Sequence, residues 1–156
     1  MYKRQAIAEV PLPNGQRSDA FARAERAAWE ETGEAYRPAL LADVPLIPAH
    51  TALLTTTVYH GSNPPGIVDI VPSESPRPAG WTAALVIVDG LIGQAVDDGI
   101  CQRFSHVPGM PELLLRAVSY RRYVNDLHSE SRSNTRSHIE RVEQHLVSRA
   151  SAILER

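Results

Sequence analysis

The segment Trp81-Thr-Ala-Ala-Leu-Val-Ile-Val-Asp-Gly-Leu91 decides the fold, and it reads two ways. Val86-Ile-Val88 is a β-branched run that favours extended chain. Trp81, Leu85, Val88 and Ile92, in contrast, recur at helical spacing. Pattern alone leaves strand and helix open here.

Working outward, Thr51 to His60 combines leucines, the run Thr55-Thr-Thr57, Val58 and Tyr59, which predicts a strand. Ser62-Asn-Pro-Pro-Gly66 is a turn, and Ile67 to Val71 returns as a second strand with Asp69 at its centre. Pro72 to Gly80 holds too many breakers for a regular element. Upstream, Ser18 or Asp19 caps a predicted helix to about Thr32 with Phe21, Ala24, Ala28 and Trp29 on its apolar face. Gly33 either ends that helix or weakens a longer one that stops before Pro38. Residues 6–12 read as a short strand followed by an Asn14-Gly15 turn, while Met1 to Gln5 resembles adaptor-derived sequence and carries no functional weight.

Downstream, Asp97-Asp-Gly99 marks a polar turn. Residues 100–107 and Glu112 to Tyr120 are expected to return as strands, the latter alternatively as a helix opening after Pro111. Ser137-x-x-Glu140 is a capping box at the head of the stripe Ile139, Val142, Leu146, Ala150 and Ile153. It predicts an amphipathic helix of roughly 18 residues, about 27 Å long. The expected class is α+β: a small mixed β-sheet packed by helices, with an additional C-terminal amphipathic helix. Residues 1–130 form the predicted domain, and 131–156 a helical extension packed on it or on a partner.

Composition narrows function less than its distribution does. The 156 residues carry 16 basic and 18 acidic side chains, and 15 of the basic ones are arginines. Residues 1–42 balance at six against six, residues 43–120 hold three basic against seven acidic, and residues 121–156 hold seven against five. A strongly basic nucleic-acid footprint is therefore absent from the chain as a whole, although arginines suit local phosphate contacts. Eight of the twelve prolines lie between Pro38 and Pro78. One cysteine, Cys101, excludes an internal disulfide and fits a reducing compartment. No secretory signal is visible and no apolar run approaches the roughly 18 residues of a membrane span, so a cytoplasmic protein is expected.

The acidic middle offers the chemistry. Asp69 sits in an apolar run, Asp89 follows three β-branched residues, and Asp97 and Asp98 adjoin at a turn. Convergent carboxylates repel unless a hard cation such as Mg²⁺ neutralises them, and such a site activates water against a phosphodiester. The plainer alternative is two ordinary Asp-Gly turns with Asp69 exposed on an edge strand. His50, His60 and His106 match no transition-metal spacing, Cys101 has no base at a useful interval, and no glycine-rich phosphate loop is present.

The order of pieces from residue 14 to about 120 resembles the phage RusA-type Holliday-junction resolvases. Asn14 and the Trp29 helix precede the Leu53–His60 strand, Asp89-Gly-Leu91 resembles that family's central element, and Asp97-Asp98 its terminal acidic pair. Asp69 stands for the first acidic motif. The resemblance implies a homodimeric Mg²⁺-dependent endonuclease that hydrolyses branched DNA in recombination and repair. Asp69, Asp89, Asp97 and Asp98 would be catalytic, with Asp69, Asp97 and Asp98 on the metal. Arg77, Arg103, Arg116, Arg121 and Arg122 would hold branched or duplex DNA through phosphates. It also implies a helix over Trp81–Val88 and a strand over 113–119. The family's lysine falls near Leu85, whereas the only lysine of this chain is Lys3, so an inactive relative is the second form of this expectation. The rivals are a non-catalytic phage or bacterial interaction protein and a DNA-binding module without cleavage.

Overall fold

The computed structural model describes residues 16–35, 43–127 and 135–154. The expectations for residues 1–15, including the adaptor-like start, the first strand and Asn14, lie outside them. The class is α+β, with most of the structure helical and the strands confined to two small antiparallel pairs.

Helix α1 spans Gln16–Ala35. It begins before Ser18 and Asp19, which fall in its first turn rather than capping it, and it runs through Gly33. Strand β1 (Leu46–Ile47), the helical turn α2 (Leu53–Thr56) and strand β2 (Thr57–Val58) follow, then β3 (Gly66–Ile67) and β4 (Arg77–Pro78). Four further helices complete the order: α3 (Trp81–Ile92), α4 (Ile100–Arg103), α5 (Met110–Asp126) and α6 (Arg136–Leu154).

The deciding segment is helical. In α3 the side chains of Trp81, Ala84, Leu85, Ile87, Val88 and Leu91 are all buried, and that packing outweighs the small helix-propensity cost of its β-branched residues. Gly80 opens it at φ 104°, a backbone position that a side chain disfavours. A Cβ there would also stand 2.8 Å from Val107 Cγ1.

The segment from Glu112 to Tyr120 is a helix as well, which corrects the strand that the resemblance implies over 113–119. Pro111 lies in the first turn of α5, where its fixed φ suits a helix start and its missing N–H costs nothing. From Glu112 to Tyr120 every side chain of α5 is buried, as a helix enclosed by neighbours requires. Those neighbours are α1, α3 and α6, so α5 is the axis of a four-helix core. Residues 100–103, also expected extended, form α4.

Between α1 and α3 the chain makes a long irregular ribbon. β1 pairs with β4, His50 bridges Pro72, Thr51 N–H bonds the Val71 carbonyl, and β2 pairs with β3. The predicted hairpin is therefore present, but its first arm is not one strand. Leu53–Thr56 turns helically because threonine hydroxyls bond back along the chain: Thr56 to the Ala52 carbonyl at 2.9 Å and Thr57 to the Leu53 carbonyl at 2.6 Å. Those local bonds compete with the extended ladder.

Helix α6 closes the core with Ile139, Val142, Leu146 and Ala150 buried against it, while Ile153 is exposed. The Thr135 carbonyl takes the first two helical bonds, from His138 and Ile139 N–H. Ser137 lies inside the first turn, so the capping box does not mark the start. Among the described residues no helix is long and apolar enough to cross a membrane.

Candidate functional site

The four aspartates are engaged separately. Asp69 lies on the exposed outer part of the ribbon, where its Oδ1 accepts the Ile70 N–H at 2.8 Å. Asp97 Oδ1 accepts the Gly99 N–H at 2.9 Å and organises the turn into α4. Asp98 Oδ2 stands 3.6 Å from His145 Nδ1 of α6. Asp89 projects from α3 to Arg121 of α5 in a two-pronged ion pair, with Oδ2 2.6 Å from Nη2. Among the described residues no group of three or more His, Cys, Asp or Glu side chains is placed to hold a metal ion. The set Asp69, Asp97 and Asp98 expected to bind Mg²⁺ is not brought together as one.

Four of the five arginines expected on DNA are bound by carboxylates instead. Arg77 Nε donates to Glu25 at 2.8 Å. Arg116 donates twice to Glu112 Oε1 and once to the Trp29 carbonyl. Arg121 holds Asp89 and also donates to the Thr51 carbonyl at 2.8 Å. Arg122 reaches Glu31 at 2.7 Å and lies 3.5 Å from Glu143. Arg103 lies exposed in the last turn of α4. A guanidinium already neutralised by a carboxylate has little positive field left for a phosphate.

The basic row of α6 is similarly occupied. His138, Arg141 and His145 follow one another at spacings of three and four residues, on one face. Arg141 donates to the Leu91 carbonyl at 2.9 Å, and His138 Nδ1 lies 3.2 Å from the Ile92 carbonyl. These two side chains cover the C-terminal end of α3, where cations complement the helix dipole. Folding turns this face onto α3 and the 97–98 turn.

A buried polar cluster escaped the sequence reading. Glu25 and Glu112, each 2% exposed, face Arg77 and Arg116. Both guanidiniums lie over the Trp29 ring, at 4.8 and 4.3 Å from its centroid, and Trp81 meets Trp29 edge-on at 5.1 Å. Cation–π attraction of this kind strengthens when water is excluded. Glu25 also accepts the Glu74 N–H at 2.9 Å, so the cluster clamps the base of the ribbon to α1. Two signals were legible: Glu25 adjoins Ala24 on the apolar face of α1, and Glu112 and Arg116 are four residues apart.

Among the described residues, neither histidine nor cysteine chemistry adds a centre. Ala52 N–H donates to His50 Nδ1, so the neutral ring carries its proton on Nε2, which bonds the Asp69 carbonyl at 3.0 Å. Burial pushes the Cys101 thiol up, away from the reactive thiolate.

What remains uncommitted is the outer ribbon. Val58, Tyr59, Ile67, Val68 and Ile70 are exposed within a thirteen-residue stretch whose only charged side chain is Asp69. The base of the same ribbon is fixed: His50 N–H bonds Thr82 Oγ1 at 2.9 Å, and Arg121 bonds the Thr51 carbonyl. Comparison with protein-family models, curated proteins and solved structures returns no match.

Proposed function

We propose that this chain is a non-catalytic interaction protein: a helical core that presents a short apolar ribbon to a protein partner. The observation that carries the reading is the division of its side chains. Asp69 and Asp97 accept bonds from their own turns, Asp89 is paired with Arg121, and four of the five arginines that nuclease chemistry would use are held by carboxylates. The clustered apolar side chains of the ribbon are left exposed. A contiguous apolar patch held on a fixed base is the form an interaction site takes. Branched-DNA cleavage is the competing function, and it needs carboxylates gathered around Mg²⁺.

The two are separated by incubating the protein with a labelled four-way junction in Mg²⁺ or Mn²⁺, alongside Asp98→Asn. We expect no cleavage by either protein. Metal-dependent cleavage that Asp98→Asn abolishes would overturn the interaction reading in favour of a nuclease.

A further inference from the structure

We infer that the ribbon from Asp43 to Ala79 opens from the helices as one unit while the four-helix core stays folded. The inference goes beyond the interaction reading and does not depend on it. Three observations support it together.

The first is how little apolar surface the ribbon shares with the core. Between Asp43 and Ala79 only Ala49, Thr51 and Pro78 are buried. Of these, Ala49 alone belongs to the hydrophobic core, and the partly buried side chains packed on that core, such as Trp29, Ile92 and Val124, all lie outside the ribbon. A segment with few buried apolar contacts opens at a lower free energy than the structure beneath it.

The second is where its backbone bonds go. Val68 N–H bonds the Thr56 carbonyl at 2.9 Å, and Thr51 N–H the Val71 carbonyl at 2.8 Å. Ser73 N–H bonds the Ala49 carbonyl and Ala79 N–H the Pro45 carbonyl, both at 2.9 Å. These bonds join one arm of the ribbon to the other, so lifting it breaks none of them. Its fixed end is Gly80, set so close to Val107 and Leu113 that a Cβ would stand 2.8 and 3.1 Å from their side chains.

The third is the chemistry of the contacts that hold the ribbon down, which are polar. The Glu25 carboxylate accepts from Arg77 Nε and from the Glu74 N–H, and Arg26 reaches Glu74 at 2.6 Å. Arg121 donates to the Thr51 carbonyl, and Thr82 Oγ1 accepts the His50 N–H. Glu25 and Arg77 gain little net free energy as a buried pair, because both regain water when they part. The groups left behind on the helices keep other partners: Arg121 retains Asp89, and Trp29 retains Arg116 over its ring at 4.3 Å. Opening bares Glu25 and the part of the Trp29 ring that Arg77 covers, 4.8 Å from its centroid.

Native-state hydrogen exchange of the whole chain, followed residue by residue by NMR, tests the inference. The reporters are the His50 and Glu74 amides, bonded to helix side chains from opposite arms of the ribbon, against the Leu115 and Val118 amides inside α5. Protection at His50 and Glu74 is expected to be equal, and at least about tenfold below that in α5. Arg77→Gln should lower both reporters together, by at least about tenfold. Arg26→Ala removes only an exposed pair and should lower both by about two- to fivefold, which keeps the test available if Arg77→Gln does not fold. Leu146→Ala, where α6 packs on α3 and α5, should lower α5 protection at least about tenfold. It should leave both reporters unchanged, because the core is folded in the open form as in the closed. Reporters that follow α5 down in Leu146→Ala overturn the inference, since the ribbon then opens only when the whole chain unfolds. So does an effect of Arg77→Gln or Arg26→Ala confined to Glu74, which means that the two arms separate independently. Those outcomes leave the interaction reading untouched. Metal-dependent junction cleavage lost in Asp98→Asn would remove that reading and leave this inference standing.

Discussion

Glu112 and Arg116 form a buried ion pair at 2.7 Å, one turn apart on the central helix. Desolvating both groups is expensive, and their attraction recovers that cost only while both are present. Arg116 is held further by the Trp29 carbonyl, but Glu112 uses only one of its two oxygens on Arg116. Either single change, Glu112→Leu or Arg116→Leu, is expected to lower unfolding free energy by about 3–5 kcal/mol, because it leaves one charge buried without its partner. The double change should cost clearly less than the sum of the two singles. Urea denaturation of the four proteins measures the cycle, and simple additivity would show that the pair is not coupled. The four-residue spacing of the pair was visible in sequence. Its burial was not, since the same spacing is common on solvent-facing helices.

At the scale of elements, α6 shows how far a periodic pattern reaches. The stripe Ile139, Val142, Leu146, Ala150, Ile153 predicted the helix and its inward face, and four of the five residues are buried. Ile153 is not, because the helix has run past the core it covers. Leu146→Ala should therefore cost about 2–5 kcal/mol in chemical denaturation, whereas Ile153→Ala should stay within about 0.5 kcal/mol. Equal losses at both positions would contradict this docking. α3 and α5 were harder to read. Val86-Ile-Val88 and Leu113-Leu-Leu115 are apolar runs without a clean period, because both helices are enclosed on several sides and no polar face interrupts the pattern. In the ribbon, threonines that favour strands spend their hydroxyls on carbonyls three and four residues back, and a helical turn replaces the expected extended arm.

Over the whole molecule, the uneven charge distribution resolves into pairs between distant parts of the chain. Arg26 and Arg77 bind Glu74 and Glu25, Arg121 binds Asp89, and Arg122 binds Glu31. The pH dependence of stability should reflect this. Burial raises the pKa of Glu31, but hydrogen bonds from Arg122 and Ser119 outweigh it and hold the carboxyl below its ordinary value of 4.5. A depressed folded-state pKa contributes stability fully above the unfolded value and loses it as pH falls through the folded one. Thermal midpoints should thus drop between about pH 5 and 3, and Glu31→Gln should flatten part of that drop. An identical profile in the variant would exclude Glu31 as a contributor. By itself the sequence determined an α+β chain, the first and last helices and the hairpin, because periodicity and turn residues act locally. Only the tertiary structure decided that α3 and α5 are helices and that the aspartates stand apart. It also decided that the arginines face carboxylates and that the ribbon carries bare apolar side chains. Those outcomes depend on which distant groups share a low-dielectric interior, where an unpaired charge is costly, and that choice is made by packing rather than by spacing along the chain.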